Sequence, residues 1–460
     1  MKKWINPGLV GLIIVDVALV LFQVAIPIMI NYTTVSVPWW VEKYPWFPLT
    51  ILVVLTVFYI LFSIFRLLYN RALEENDQND EPKQDEQADE PRRDIPSSPY
   101  LVSVPIKDPA NFFGRRKEVD HFFASINAPQ PQPLQVLGIR RAGKTSFLHY
   151  ISHPDVVLQK ARDPDSTLFI YVNLESGIKT VADFYLKLAE EINRSLPKQK
   201  RGIPVPRRGI PTTKAFEKWL RSPLLADYRL IILLDEFEAL RQEAAFKSEF
   251  FRGLRSLVIN HLGRLAWVTS SYIDLFRLTH LKGEKEKTSP FFNTFYFIPI
   301  ILAGLTLTEA DELIQKPAAS HGVRFSIEEI QSIKQLAGGL PFFLQAAAEA
   351  WFKAKQQGQD DLRQIKADVK QILLVNMGQH FESYWQSFKK QERTLLTRIA
   401  TQTEADWLPS GDLFVTHLVR YGIITSQEED YPYRIAGEVF AEWIRNRTQM
   451  ESGADSESED

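Results

Sequence analysis

An α/β chain built on a buried parallel sheet is predicted by three observations. A glycine-framed loop, Gly138 to Thr145, lies between an apolar run and a helical pattern. A second apolar run, Leu230-Ile231-Ile232-Leu233-Leu234, ends abruptly in Asp235-Glu236. Strand patterns then fade, and from Thr306 onward helical patterns take over. Unbroken apolar runs of this length suit strands buried on both faces of a parallel sheet.

The first run, Leu134-Gln135-Val136-Leu137, leads into Gly138-Ile139-Arg140-Arg141-Ala142-Gly143-Lys144-Thr145, and Ser146-Phe147-Leu148-His149-Tyr150-Ile151 begins a helix. Gly138 and Gly143 let the backbone curl so that several N–H groups converge on an anion, where the positive end of the helix dipole adds to the attraction. Lys144 would reach β and γ phosphates, and the Thr145 hydroxyl would serve a magnesium ion that bridges them. This order of strand, loop and helix predicts binding of ATP or GTP.

Residues 167–173 read as another buried strand and 181–196 as an amphipathic helix. The loop 197–211 carries Lys198, Lys200, Arg201, Arg207 and Arg208 among prolines and glycines, either as a solvated loop or as a contact for acidic lipid heads or a partner. The Asp235-Glu236 pair at a strand end sits where nucleotide sites lie in such sheets. Asp235 would hold magnesium through its water shell, and Glu236 would orient or deprotonate the attacking water. Residues 244–262 look helical. The next strand, 265–271, ends in Thr269-Ser270-Ser271, hydroxyls that would contact the γ phosphate or cap a helix. A fifth strand is expected at 294–300.

Helices follow at 308–320, 326–337 and 341–355. Ser326-Ile327-Glu328-Glu329 has capping-box spacing, and Gly338-Gly339-Leu340-Pro341 ends one helix and begins the next with proline in its first turn. The order helix, helix, strand, strand, helix at 391–401, 410–421, 423–425, 433–435 and 437–447 suits a winged helix.

The N-terminus is different in kind. Residues 8–30 are apolar except for Asp16 and Gln23, and 47–65 are apolar apart from Thr and Ser; each is long enough to cross a hydrocarbon layer of about 30 Å. Lys2 and Lys3 before the first span, and Arg66 and Arg71 at the end of the second, place both ends in the cytoplasm by the positive-inside rule. Trp39, Trp40, Tyr44 and Trp46 would sit at the outer interface. Asp16 and Gln23 share a helix stripe, as do Thr56 and Ser63, forming either glue between helices or a polar seam along a pore or oligomer contact. A multi-pass protein of the cell membrane, with a cytoplasmic C-terminal part, is therefore expected.

The domains expected are a two-helix transmembrane hairpin at 1–72, an acidic disordered linker at 73–109, the α/β core at 110–304, a helical lid at 305–376, a winged helix at 377–447 and a disordered acidic tail at 448–460. With 460 residues, 45% of them hydrophobic, a substantial core is possible. A net charge of -2 selects no nucleic-acid partner. The absence of cysteine excludes disulfides, thiolate metal sites and cysteine nucleophiles, and the 8 histidines show no paired ligand spacing.

Taken together, residues 112–447 resemble the STAND and archaeal-type P-loop ATPases of the AAA+ superfamily, relatives of origin-recognition ATPases and of nucleotide-switched signalling receptors. Phe113-Gly114-Arg115 with Glu118 is similar to the family's Gly-Arg box beside the adenine. Gly138 through Ser146 resembles its Arg-Arg form of Walker A, and Asp235-Glu236 its Walker B. Thr269-Ser270-Ser271 looks like sensor 1, and Gly339-Leu340-Pro341 like the Gly-x-Pro motif of the lid. The resemblance implies a three-layer αβα P-loop NTPase core with a helical lid and a C-terminal winged helix closing over ATP or ADP with Mg2+. It supplies no lid arginine matching sensor 2 and no fixed arginine finger, Arg252 and Arg255 being only candidates, so hydrolysis is expected to be slow or to need a neighbouring subunit.

The function expected is a membrane-anchored, ATP-hydrolysing switch that assembles as a homo-oligomer or with a protein partner, in signalling or defence. A DNA-binding origin-recognition-like ATPase is one alternative, opposed by the acidity of Asp412 and of Gln427-Glu428-Glu429-Asp430 in the winged-helix unit. The ATPase of a membrane transport or secretion assembly is another.

Overall fold

The computed structural model describes residues 98–175, 177–206, 209–279, 291–401, 413–426 and 433–457. The membrane hairpin, most of the acidic linker, Arg207, Arg208, Asp412 and the 427–430 turn lie outside them. No helix among the described residues is long and apolar enough to cross a membrane.

Five strands, β1 (Leu134–Leu137), β2 (Thr167–Asn173), β3 (Arg229–Asp235), β4 (Leu265–Ser271) and β5 (Ile300–Ile301), form one sheet in the order β2-β3-β4-β1-β5, with every neighbouring pair parallel. Because side chains alternate across a strand, β3 feeds two cores at once. Ile231 and Leu233 join the cluster that holds Phe122 of α1 (Arg116–Ile126) and Phe147 and Leu148 of α2 (Lys144–Ile151). Leu230, Ile232 and Leu234 face the other way, toward Phe184 of α4 (Val181–Ser195), Phe216 of α5 (Thr213–Leu220) and Leu254 of α6 (Ser248–Asn260). The short helix α3 (Pro154–Lys160) follows α2, and α7 (Leu275–Thr279) follows β4. These are the helix, sheet and helix layers of the expected αβα core.

The chain leaves the sheet through Leu302–Leu305 and enters α8 (Leu307–Ser320), α9 (Ile327–Ala337), α10 (Pro341–Gln356), α11 (Leu362–Asn376) and α12 (Gly378–Ser387). Both expected signals operate here. Ser326 and Glu329 form a reciprocal capping box at α9, and Pro341 occupies the first turn of α10. A second capping box, Thr306 with Glu309, starts α8. Last come α13 (Lys390–Thr401), α14 (Leu413–Arg420), the antiparallel pair β6 (Ile424–Ser426) and β7 (Tyr433–Ile435), and α15 (Glu438–Glu457).

Several boundaries differ from expectation. The fifth strand is two residues long instead of spanning 294–300, because Pro299 cannot donate to a ladder and pairing with β1 begins only at Ile300. Helix α6 starts at Ser248, since Lys247 is still extended. Order begins before residue 109: Tyr100 and Ile106 are buried, and the Tyr100 hydroxyl donates to the Ile314 carbonyl. The last helix continues to Glu457, into the segment expected to be an unstructured tail. Helices α11 and α12 add to the three helices expected after the sheet.

Gly338 ends α9 with φ +73°, and a Cβ there would come within 2.7 Å of the Ala436 carbonyl oxygen, just past β7. Gly338→Ala is therefore expected to cost about 1–3 kcal/mol through strain at this junction, read as a lower denaturation midpoint than wild type.

Candidate functional site

Strand β1 is buried along its whole length and hydrogen-bonded between β4 and β5, so it delivers Gly138 to a fixed point at the carboxyl edge of the sheet. There the Gly138 N–H donates to the Ser271 carbonyl at 3.3 Å, and the Leu302 N–H donates to the Leu137 carbonyl at 2.7 Å. The loop turns back on itself through Ala142 N–H to the Ile139 carbonyl, with Arg141 at φ +66° and Gly143 at φ +90°. Gly143 is the N-cap of α2, where left-handed backbone suits a residue without Cβ. Lys144 is only 6% exposed, and its ammonium donates to the Ile139 carbonyl of the same loop at 3.4 Å.

Above the loop lies a cavity of about 470 Å³, a size typical of small-ligand sites. Of the residues singled out from sequence, Arg140, Arg141, Ala142, Gly143, Lys144, Thr145, Ser146, Phe113, Arg115, Glu236 and Pro341 line it. Gly114, Gly138, Ile139, Asp235 and Ser270 are not among its lining residues. Gly138 and Ile139 belong to the packing beneath the loop, and Gly114 lies against Leu305 and Glu309.

Asp235 is fully buried at the tip of β3. Its Oδ2 accepts from the Tyr171 hydroxyl at 2.9 Å, and its Oδ1 accepts from the Ser270 hydroxyl at 2.8 Å and the Glu236 N–H at 3.1 Å. Burial, then the charge of Asp235, pushes the Tyr171 phenol far above its ordinary range, so it stays a donor. Ser270 thus orients Asp235, and its hydroxyl is turned to that carboxylate rather than to the cavity. Glu236 itself sits in left-handed backbone (φ +51°) and reaches the cavity wall.

Two further groups of residues line the cavity beyond those the sequence motifs point to. The segment from Leu101 to Ile106 crosses one side of the cavity, held by Leu101 N–H to Gln345 Oε1 (3.1 Å) and Ile106 N–H to Ser146 Oγ (3.0 Å). Its apolar Leu101, Val102, Val104 and Ile106, following the acidic run, were the available signal. From α12 come His380, Ser383 and Tyr384. The loop touches this helical wall directly: Arg140 Nη1 donates to Ser383 Oγ at 3.1 Å, and the Arg141 guanidinium lies 4.7 Å from the centre of the Phe342 ring. Burial, with the nearby Arg141 charge, holds the His380 imidazole below its usual range. Arg252 and Arg255 do not line the cavity.

For magnesium, the donor set is hard oxygen: the Thr145 hydroxyl at the cavity and the Asp235 carboxylate behind it. That chemistry fits an ion that takes few protein ligands and completes its shell with phosphates and water.

A family model described as Novel STAND NTPase 2 matches residues 136–404. Among solved structures, the Walker-type ATPase of Pyrococcus abyssi is 17% identical, with 75% of this chain and 99% of that one covered at a TM-score of 0.49. The ORC2 protein of Aeropyrum pernix, solved as ADPNP-ADP complexes, is 15% identical over 75% of this chain and 97% of its own, with a TM-score of 0.48. The RuvB Holliday junction branch migration motor of Thermotoga maritima is 14% identical over 74% and 97%, with a TM-score of 0.39. No curated protein matches the sequence.

One carboxylate near the site gives a pH signature. Glu238 is 7% exposed, accepts from the Tyr272 N–H at 3.4 Å, and is pushed up to about 7 by burial and by the Glu236 charge, against the opposing pull of Lys144. Since the folded protein holds this proton more tightly than the unfolded chain, Glu238 costs no stability below about pH 4.5, and stability falls as pH rises toward about 7. Melting temperatures of wild type and Glu238→Gln across that window should diverge, the variant showing the shallower decline; parallel curves would contradict the assignment.

Proposed function

The chain belongs to the novel STAND NTPase 2 family, and on that premise we propose that this nucleotide-binding P-loop ATPase of the STAND/AAA+ type works as a membrane-anchored switch. The observation that carries the reading is the composition of one cavity. Its floor is the phosphate loop with Lys144, and its walls come from the helices that follow the sheet, through Phe342 and Ser383. A triphosphate in it would touch both at once, so the state of the γ phosphate would bias how the helical part sits on the core.

In this scheme the loop N–H groups and Lys144 bind the phosphates, while Phe113 and the Leu101–Ile106 segment border the space for the base. Thr145 and Asp235 would hold Mg2+, which when bound neutralises charge on the β and γ oxygens. Glu236 accepts a proton from the attacking water, and Asp235 is held in place for its task by Ser270 and Tyr171. Residues 305–376 act as the lid, and 377–447 as a winged helix. Packing ties these parts together: within 305–376 the Leu305 N–H donates to the Gly339 carbonyl at 2.8 Å, and Phe343 stacks on Phe381 of the 377–447 part at 5.0 Å.

The hairpin at 1–72 would anchor the molecule in the cell membrane with both ends cytoplasmic, and homo-oligomers or a partner protein would pass the switch onward in signalling or defence. The two long apolar runs and the aromatic loop between them support the anchor.

Lys144→Ala should abolish ATP binding measured by equilibrium dialysis, and Glu236→Gln should retain binding while turnover falls at least about 100-fold, as expected for loss of a general base. Retained binding in the lysine variant would refute the phosphate-loop reading. For the anchor, the full chain should pellet with membranes and resist high salt, whereas a chain lacking residues 1–72 should stay in the supernatant.

A further inference from the structure

Arg115, expected beside the base of the nucleotide, lines the cavity, and its guanidinium is tied to backbone carbonyls. It is 3% exposed, and its Nη2 donates to two carbonyl oxygens, that of Ala142 in the phosphate loop at 3.2 Å and that of Ala303. Nη1 meets Glu118 Oε1 at 3.5 Å, and the charge of Glu309 also faces the group. A guanidinium this buried is confined by its partners, because moving away would leave a charge and two carbonyls unpaired.

Ala303 lies in the crossover between β5 and α8, and that crossover is tied to the sheet and to the helical part. Leu302 N–H bonds to Leu137 at the end of β1, and Leu305 N–H bonds to Gly339 before α10. Gly304 packs against both Gly339 and Gly422, the latter lying between α14 and β6. A displacement of Ala303 therefore reaches the helical part and the C-terminal part together.

We propose that Arg115 is a positioning residue that couples the phosphate loop to this crossover, clamping the Ala142 and Ala303 carbonyls with one nitrogen so that occupation of the loop moves the helices beyond β5. The proposal rests on the nucleotide reading above. When phosphate draws the amides around Gly143 inward, the Ala142 carbonyl turns with its peptide plane, and the guanidinium carries the change to Ala303. What makes this work is the planar guanidinium, which fixes the directions of the two Nη2 N–H bonds while Nη1 is anchored on Glu118. A lysine ammonium is a flexible point charge that can neutralise the pocket without holding both carbonyls in register.

The test compares full-length wild type, Arg115→Lys and Arg115→Ala, with Lys144→Ala as the non-binding control. ATP affinity is measured by equilibrium dialysis, and backbone hydrogen exchange is followed at residues 302–305 with and without ATP. In wild type, ATP should slow exchange in the crossover at least about threefold. Arg115→Lys should bind ATP within about tenfold of wild type while losing most of that response, a split that simple destabilisation does not produce. A response of wild-type size in Arg115→Lys overturns the coupling. So does loss of ATP binding to the level of Lys144→Ala with a native melting curve, which would make Arg115 a binding group. If Arg115→Ala does not fold, the lysine variant alone decides. Wild type that binds no ATP would sink the nucleotide reading and the coupling with it, whereas binding with an intact response in the variants sinks the coupling only.

Discussion

The site depends on β1 being paired on both sides. Four buried residues hold the phosphate loop between β4 and β5, and the parallel ladders fix what stands next to it: the hydroxyl-bearing end of β4 on one side and the Leu302 crossover on the other. Asp235 is one strand further away and still arrives within reach of Ser270, because β3 and β4 run in register. A shift of one residue in that pairing would turn Asp235 toward a helix layer and replace it at the sheet edge with an apolar side chain.

Electrostatics at this edge are uneven, and usefully so. Asp235 is fully buried but receives three donors, which is the condition under which a carboxylate tolerates removal from water. Glu238, three residues on, has a single long hydrogen bond, and one of its oxygens has no partner in the protein. Glu236 lies between them at the cavity wall. Three acids in one turn of chain thus meet three environments, set by strand position and not by residue type.

Much of the core could be read from the sequence, since local rules decide it. The apolar run of β3 and the glycine-framed loop announce strand, turn and helix within a few residues, and Ser326 with Glu329 forms the capping box its spacing promised. What could not be read is what comes from far along the chain. No periodicity reveals that Ser383 meets Arg140, or that Gln345 accepts from Leu101. Arg115 was legible as part of a motif, yet its direction was not, because the Ala303 carbonyl it holds is a backbone group with no signature in residue identity. The order before residue 109 was hidden for a related reason: the acidic run sets the composition of the window, and the two residues buried there meet distant elements, Tyr100 against α8 and α10 and Ile106 beside α2.

The contacts between the loop tip and α12 also govern when the cavity comes into being. Arg140 and Ser383 are 243 positions apart, so during synthesis the sheet and its loop are made long before the wall that closes on them. Until α12 has left the ribosome, the growing chain carries its phosphate loop without the wall that Ser383 supplies.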